Sequence, residues 1–240
     1  MLFRSIPAPW KSTSPKITDP FDIALADIPH KDFGIGLPAG MVLVKRITGI
    51  KPAGASTISR LTNPNETGIT AHKLSEVVHN PQDLNHHDLD SNWLPSYLVG
   101  AVDAGVVKPG DEVEYTIYYL NTQGLDTKNF TICDPIRGTQ SYVPGSMELK
   151  SGSSAVLGLS DAIDSADRAY SYGAASPSAT TPVATPVNCN ATVSDHGGVA
   201  IAITGSISTN QPALTAVPSA TGAGLPATSY GWFKFRTKVD

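Results

Sequence analysis

Residues 109–135 read PGDEVEYTIYYLNTQGLDTKNFTICDP, and this stretch decides the fold class. Residues 112–120 alternate between two faces, with Val113, Tyr115, Ile117 and Tyr119 on one and Glu112, Glu114, Thr116 and Tyr118 on the other. A period of two predicts a half-buried strand and does not fit a helix. Residues 121–126 carry the Asn, Gly and Asp that turns favour. A second strand is predicted over residues 127–133 and closes at Asp134-Pro135, because proline cannot donate to a continuing ladder.

Three other segments predict further strands. Residues 41–50, MVLVKRITGI, are apolar on both faces and predict an inner or bridging strand. Residues 197–207 alternate clearly, and residues 230–239 direct inward Phe233, Phe235, Thr237 and Val239. The outward set includes lysines, which we expect to protect a sheet edge: Trp232, Lys234, Arg236 and Lys238. With long loops over residues 51–92 and 151–187, the pattern predicts an all-β, immunoglobulin-like β-sandwich.

Residues 1–37 predict an N-terminal extended arm, followed by one domain over residues 38–240. The arm is rich in proline, and only residues 21–28, FDIALADI, are dense in apolar side chains. Such an arm can lie along its own domain, stay unstructured, or add as a strand to the open edge of a neighbouring subunit. The side chains expected to carry this last role are Phe21, Ile23, Leu25 and Ile28.

Charge and hydropathy disfavour two classes of partner. Seventeen basic residues face 21 acidic ones, so the net charge of −4 gives no reason to expect nucleic acid or an anionic membrane as a partner. The sequence has no apolar run long enough to predict a membrane span. The first ten residues, MLFRSIPAPW, do not resemble a signal peptide, which taken alone favours a cytoplasmic location.

The segments PGDEVEYTIYYLN, NFTICDPI and YVPGSMEL resemble the repeat domain known as domain of unknown function 11, in its cyanobacterial-type form. The family pattern matches Pro109-Gly110-Asp111, Tyr115-Thr116, residues 129–136 and residues 142–146, and the similarity extends over roughly residues 41–240. That family occurs in bacterial and archaeal surface proteins. The resemblance therefore implies an exported immunoglobulin-like domain at the cell surface, without assigned chemistry.

Export makes a disulfide between Cys133 and Cys189 the expected state of the two cysteines. Closing that loop could contribute about 4 kcal/mol in the chain-entropy model. Cys133 follows Ile132, so we expect its side chain on the face opposite the core. The alternative is two unrelated buried thiols in a reducing compartment.

Two acidic groups suggest calcium sites. Asp88 and Asp90, with Asn92, have the first spacings of a calcium-binding loop, but Trp93 stands where that loop needs glycine. Nearby Asp83, His86 and His87 would also suit a transition metal, and a solvated acidic loop is the alternative. The second group, Asp161, Asp164 and Asp167, would share one face of a short helix over residues 157–168, where a cation or Arg168 would offset the repulsion. No other cofactor is expected.

The sequence has neither a Gly-x-Ser-x-Gly elbow nor a phosphate-binding glycine loop opening a helix, so we do not expect an enzyme. The favoured function is that of a structural or adhesive module in an extracellular fibre, pilus-like filament or surface layer. Its expected partners are copies of itself or other surface proteins, joined by the arm. The alternative is an extracellular ligand- or glycan-binding module that uses the loops around Trp93 and Tyr172.

Overall fold

The structure is a computed structural model of the 240-residue chain. It describes residues 11–12, 35–36, 40–60, 80, 86–102, 105–122, 124–128, 130–136, 139–161, 169–172, 197–204 and 214–240. The strands in these ranges are β1 (Lys11–Ser12), β2 (Ile35–Gly36), β3 (Met41–Lys51), β4 (Ser59–Arg60), β5 (Glu112–Asn121), β6 (Thr131–Pro135), β7 (Gln140–Tyr142), β8 (Glu148–Ser151), β9 (Leu157–Gly158), β10 (Ala169–Tyr172), β11 (Gly198–Ala202) and β12 (Tyr230–Val239). A 3-10 helix, His87–Leu89, lies between β4 and β5.

The strands build two packed sheets, which confirms the predicted all-β sandwich. The larger sheet has seven strands in the order β4-β3-β5-β12-β8-β9, with β7 also paired to β12. The smaller sheet has three strands in the order β10-β11-β6. Every strand pairing is antiparallel. The chain therefore crosses from one sheet to the other between β5 and β6, while β1 and β2 form a separate pair.

The main core fills the space between the two sheets. The larger sheet contributes aromatic and branched side chains of β5 and β12, including Tyr119 and Phe233, which are fully buried. The smaller sheet faces them with side chains of β6 and β11, including Ile132, Val199 and Ile201. These are the side chains that the period of two predicts to point inward, so the alternation correctly identifies the core faces of β5, β6, β11 and β12.

A second core covers the outer face of the larger sheet. Here the loop that follows the 3-10 helix lays Trp93 and Leu98 against Tyr118, Leu120 and Tyr230. The Trp93 indole donates a hydrogen bond to the His87 carbonyl, with 2.8 Å between the nitrogen and oxygen atoms. Most of β5 is therefore buried on both faces. The prediction of a half-buried strand is wrong, because a loop without periodicity supplies the second cover.

Strand β12 lies in the middle of the sheet, between β5 on one side and β7 and β8 on the other. Its inward and outward residues alternate as predicted, but its lysines do not protect an edge. Lys234 instead lies 3.4 Å from a carboxylate oxygen of Glu114, and Arg236 lies 2.6 Å from one of Glu112. The outward cations neutralise the acidic side chains of the neighbouring strand.

Several predictions for the loops fall only partly within the described residues. Leu157–Gly158 forms strand β9 and pairs with β8, which contradicts a helix beginning there. The rest of the helix, residues 162–168 with Asp164 and Asp167, lies outside the described residues. So do the apolar arm residues 21–28 (Phe21, Ile23, Leu25 and Ile28), Asp83 and Cys189. In the part of the chain that is described, no helix combines the length and apolar character needed to cross a membrane.

A substitution at Gly231 of β12 tests how closely the main core is packed. A Cβ atom at this position would overlap the hydroxyl group of Tyr119 and the carbonyl oxygen of Lys150. We expect Gly231→Ala to lower the free energy of unfolding by about 1–3 kcal/mol, measured by urea denaturation. Gly158→Ala is the matched control, because a Cβ there meets no described atom within 4 Å. Equal stability of the two variants would contradict the packing described for β12.

Glu112 should make stability depend on pH. A hydrogen bond from Lys51 and the charge of Arg236 lower the pKa of Glu112 below its ordinary 4.5, although burial acts in the opposite direction. A carboxylate with a lowered pKa stabilises the fold above its unfolded-state pKa, and this contribution is lost as the pH falls through the folded-state pKa. Glu112→Gln should therefore be less stable than the wild type at pH 7, and the difference should shrink toward pH 2. A difference in urea denaturation that stays constant with pH would refute this assignment.

Candidate functional site

Strand β3 has an edge that is only partly paired. On one side it runs along β5 from Met41 to Lys51. On the other side Ile47 exchanges two backbone hydrogen bonds with Ala101, both of 2.9 Å, and β4 pairs with the end of the strand. Among the described residues, nothing pairs with residues 42–45 on this second side. Within the described part of the chain, four of the eleven residues of β3 thus form an open edge.

The backbone groups at this edge can be assigned from strand geometry. Alternate residues of a strand turn their N–H and C=O groups to the same side. Ile47 directs its groups away from β5, toward Ala101, so Leu43 and Lys45 direct theirs the same way. Gly40 lies an odd number of positions from Ile47, so its carbonyl faces the other side of the strand. There it accepts a hydrogen bond of 3.0 Å from the Thr122 amide, beyond the end of β5. The open edge therefore presents the donors and acceptors of Leu43 and Lys45.

Leu43 is exposed on the side of β3 that faces the interior of the sandwich. It lies opposite the buried Tyr119, yet its exposed fraction is 45%. Its neighbours Val42 and Val44 point to the other face and are buried beneath the loop that carries Trp93. The described strands of the smaller sheet do not extend over Leu43. We call the open edge of β3 at residues 42–45, with the exposed Leu43 side chain, the β3 seam.

Next to the seam, a cavity of about 320 Å³ lies between the sheets. It is lined by Lys45, Tyr115, Asp134, Pro135, Ile136, Gln140, Phe235 and Thr237. The Lys45 Nζ atom lies 2.5 Å from Oδ2 of Asp134 and 4.6 Å from the centre of the Tyr115 ring. Burial raises the pKa of the Tyr115 hydroxyl, which donates a 3.2 Å hydrogen bond to the side-chain oxygen of Gln140. The ion pair between Lys45 and Asp134 joins β3 of the larger sheet to β6 of the smaller sheet.

The first predicted calcium group is engaged in protein contacts. Asp88 forms a buried ion pair with Arg46 of β3, with 2.5 Å between Oδ2 and the guanidinium, and it also accepts a hydrogen bond from the Asn80 amide. Asp90 accepts hydrogen bonds from the backbone and side chain of Asn92. The two carboxylates thus have separate partners, and Asp88 is paired with the guanidinium of Arg46. The pair anchors the 3-10 helix to the outer face of the larger sheet.

Asp161, of the second predicted calcium group, closes a turn. It accepts hydrogen bonds from the Tyr142 hydroxyl and the Gly145 amide, at 2.5 and 2.6 Å. Burial and the bond to Asp161 raise the pKa of Tyr142 above its ordinary range. Within the described residues, no three His, Cys, Asp or Glu side chains are grouped closely enough for a metal ion. The calcium hypothesis for Asp161, Asp164 and Asp167 stays a prediction, because two of its members lie outside those residues.

Cys133 lies on the exposed face of β6, between the buried Ile132 and Asp134, as predicted. Its sulfur is disulfide-bonded. The pairing with Cys189 stays a prediction, because Cys189 lies outside the described residues. A disulfide at this position would attach a later part of the chain to the smaller sheet, immediately beside the Lys45–Asp134 pair.

The aromatic residues of the loop serve the core. Trp93 is 6% exposed, and its ring stacks on that of Tyr97 with 6.3 Å between the centroids. Tyr97 packs edge-on against Tyr230 at 4.6 Å. Trp93 is thus not available as a flat exposed platform for a sugar, as the ligand-binding alternative needs. The side chain of Tyr172, the other aromatic of that alternative, lies outside the described residues.

The sequence patterns do not reveal the β3 seam or the cavity beside it. Lys45 carries a weak signal, since it is a charged residue directly after the apolar run of residues 41–44. Leu43 carries none, because its exposure depends on how far the smaller sheet extends.

The buried pair of Arg46 and Asp88 can be tested by breaking it. Arg46→Met leaves a buried carboxylate without its cation, so we expect a loss of about 3–5 kcal/mol in the free energy of unfolding. The double variant R46M/D88L removes both charges and should recover most of that loss. Urea denaturation of wild type and variants with calcium and with a chelator adds a control. A calcium-dependent stability that Asp88→Leu abolishes would mean that Asp88 binds a cation instead.

Comparison of the chain with models of protein families, with curated proteins and with solved structures finds no match. The resemblance to domain of unknown function 11 therefore stays a prediction from the sequence motifs.

Proposed function

We propose that this chain is a non-enzymatic structural or adhesive module of an extracellular fibre, pilus-like filament or surface layer. Neighbouring copies join when the N-terminal arm of one copy adds as a strand to the β3 seam of the next. The observation that carries the proposal is the open edge at Leu43 and Lys45, beside a leucine that is 45% exposed on the interior side of the sheet. Open strand edges are the sites at which extended segments add to sheets.

The arm has the composition that such a joint needs. Phe21, Ile23 and Leu25 alternate with the aspartate and alanines at positions 22, 24 and 26. In an added strand, one face would carry the three large apolar side chains. Placed beside β3, that face would cover Leu43 and extend the core over the uncovered part of the larger sheet.

The energetics require these apolar side chains. The seam offers two N–H and two C=O groups, and each hydrogen bond contributes a net of about 0.5–1.5 kcal/mol. Four such bonds fall below the roughly 8 kcal/mol of a micromolar complex, before any loss of freedom on binding is counted. Burial of a side chain such as Phe, Ile or Leu adds about 1.5–3 kcal/mol. The arm residues at positions 21, 23 and 25 would thus decide whether the joint forms.

The joint can be blocked from the acceptor side. The N–H of Leu43 points away from β5, so Leu43→Pro removes an edge donor without breaking the β3–β5 ladder. We expect the wild type to grow in size with concentration in analytical ultracentrifugation and to form filaments or sheets in negative-stain electron microscopy. The Leu43→Pro variant and a chain without residues 1–37 should remain single particles.

Two controls separate assembly from folding. Leu43→Thr keeps the edge donor and should weaken assembly less than Leu43→Pro. Val44→Pro removes an N–H that faces β5 and should lower the melting temperature, whereas Leu43→Pro should leave it nearly unchanged. Single wild-type particles at all concentrations would refute self-assembly. Assembly that survives removal of the arm would refute its role as the donor strand.

A further inference from the structure

We propose that Lys45 and Asp134 condense to an amide, so that a covalent cross-link joins the two sheets of the sandwich. The proposal concerns the cavity beside the β3 seam and does not depend on self-assembly. Lys45 comes from β3 of the larger sheet, and Asp134 comes from β6 of the smaller sheet.

The two reacting groups are in contact in an unusual arrangement. The Lys45 Nζ atom lies 2.5 Å from Oδ2 of Asp134, yet this buried oxygen accepts no hydrogen bond of ordinary geometry among the described residues. Buried carboxylate oxygens are normally hydrogen-bonded. The amine is thus close to the carboxyl group but lies off the direction of a regular hydrogen bond.

Two aromatic rings and neutral polar side chains surround the pair. The Lys45 Nζ atom lies 4.6 Å from the ring centre of Tyr115 and 5.7 Å from that of Phe235. The other polar residues of the cavity wall, Gln140 and Thr237, are neutral. Amide formation needs the neutral amine and acid, which the pair can reach by transfer of one proton from the ammonium to the carboxylate across the 2.5 Å contact. The Lys45 side chain is 44% exposed, so the water released by the reaction can leave to solvent.

The reaction needs no oxidant or other co-reactant. The lone pair of the Lys45 Nζ atom attacks Cγ of Asp134, and a carbon–nitrogen bond forms. One carbon–oxygen bond of the carboxyl group then breaks, and its oxygen leaves as water with one proton from the acid and one from the amine. Groups fixed in contact react with effective concentrations of about 10⁵–10⁸ M, which offsets the unfavourable equilibrium of amide formation in water.

A cross-link here would fasten a strand whose second edge is only partly paired among the described residues. Beyond β3, the described part of the sheet has only the two-residue β4 and the bridge to Ala101. An amide to β6 would prevent β3 from separating without also pulling on the smaller sheet.

Intact-mass spectrometry of the reduced, denatured wild type tests the proposal directly. Loss of one water lowers the mass by about 18 Da relative to the sequence. Trypsin does not cleave after an acylated lysine, so the digest should contain residues 32–46 joined to residues 129–137. An unmodified mass, with residues 32–45 and 129–137 recovered as separate peptides, would show an ordinary ion pair and overturn the proposal.

Three variants add a readout that an ion pair would not change. Lys45→Arg and Asp134→Ala should both show the full mass of their sequences. Asp134→Asn should still react, losing ammonia with a decrease of about 17 Da and giving the same linked peptides as the wild type. Water loss that persists in Lys45→Arg would place the modification elsewhere and refute the assignment.

Discussion

Strand β5, which pairs with β12 along its length, is largely buried on both faces, and the rest of the structure depends on supplying partners for its buried side chains. On the interior face, aromatic and branched side chains pack against the smaller sheet. On the outer face lies Glu114, a carboxylate with an exposed fraction of 1%. Such a group is tolerated only with partners, and it has them: Thr48 donates at 3.0 Å, Arg60 at 2.8 Å, and the Lys234 ammonium lies at 3.4 Å. Strands β3, β4 and β12 each supply one of these groups, so the buried Glu114 carboxylate has a partner on each of these three strands.

The two sheets are unequal, and the open regions of the molecule follow from this difference. Three strands cannot cover the interior face of seven. The loop with Trp93 covers part of the outer face, where Val42 and Val44 are buried, but no described segment gives Leu43 an equivalent cover on the interior side. Leu43 is therefore exposed and Lys45 reaches into a cavity. The seam and the cavity are two consequences of one mismatch in sheet size.

Much of the fold could be predicted from local patterns, because alternation records which side of a strand is apolar. β5, β11 and β12 and their inward residues were accessible in this way. Their neighbours were not, since β12 pairs with a strand whose sequence lies more than a hundred positions earlier. Lysines at positions 234 and 238 suit a sheet edge and a central ion-paired strand equally well. The second cover of β5 comes from a loop without periodicity. In the 3-10 helix before that loop, Asp88 resembles a metal ligand in the sequence, because its counter-ion, Arg46, is distant along the chain. The candidate site was less predictable still, since the open edge at Leu43 reflects where other strands end.

The two proposals about β3 concern different sides of the same strand and are mechanically complementary. Backbone groups at Leu43 and Lys45 face outward along the sheet, where a neighbouring chain could pair, while the Lys45 side chain faces Asp134 in the opposite sheet. A force transmitted through the seam would pull β3 away from β5, and hydrogen bonds at a strand edge separate one at a time under such a load. An amide between Lys45 and Asp134 would transfer the force to β6. Cys133, the residue before Asp134 in that strand, is disulfide-bonded. The strand that would bear the load between subunits would then be the strand tied most firmly to the rest of its own domain.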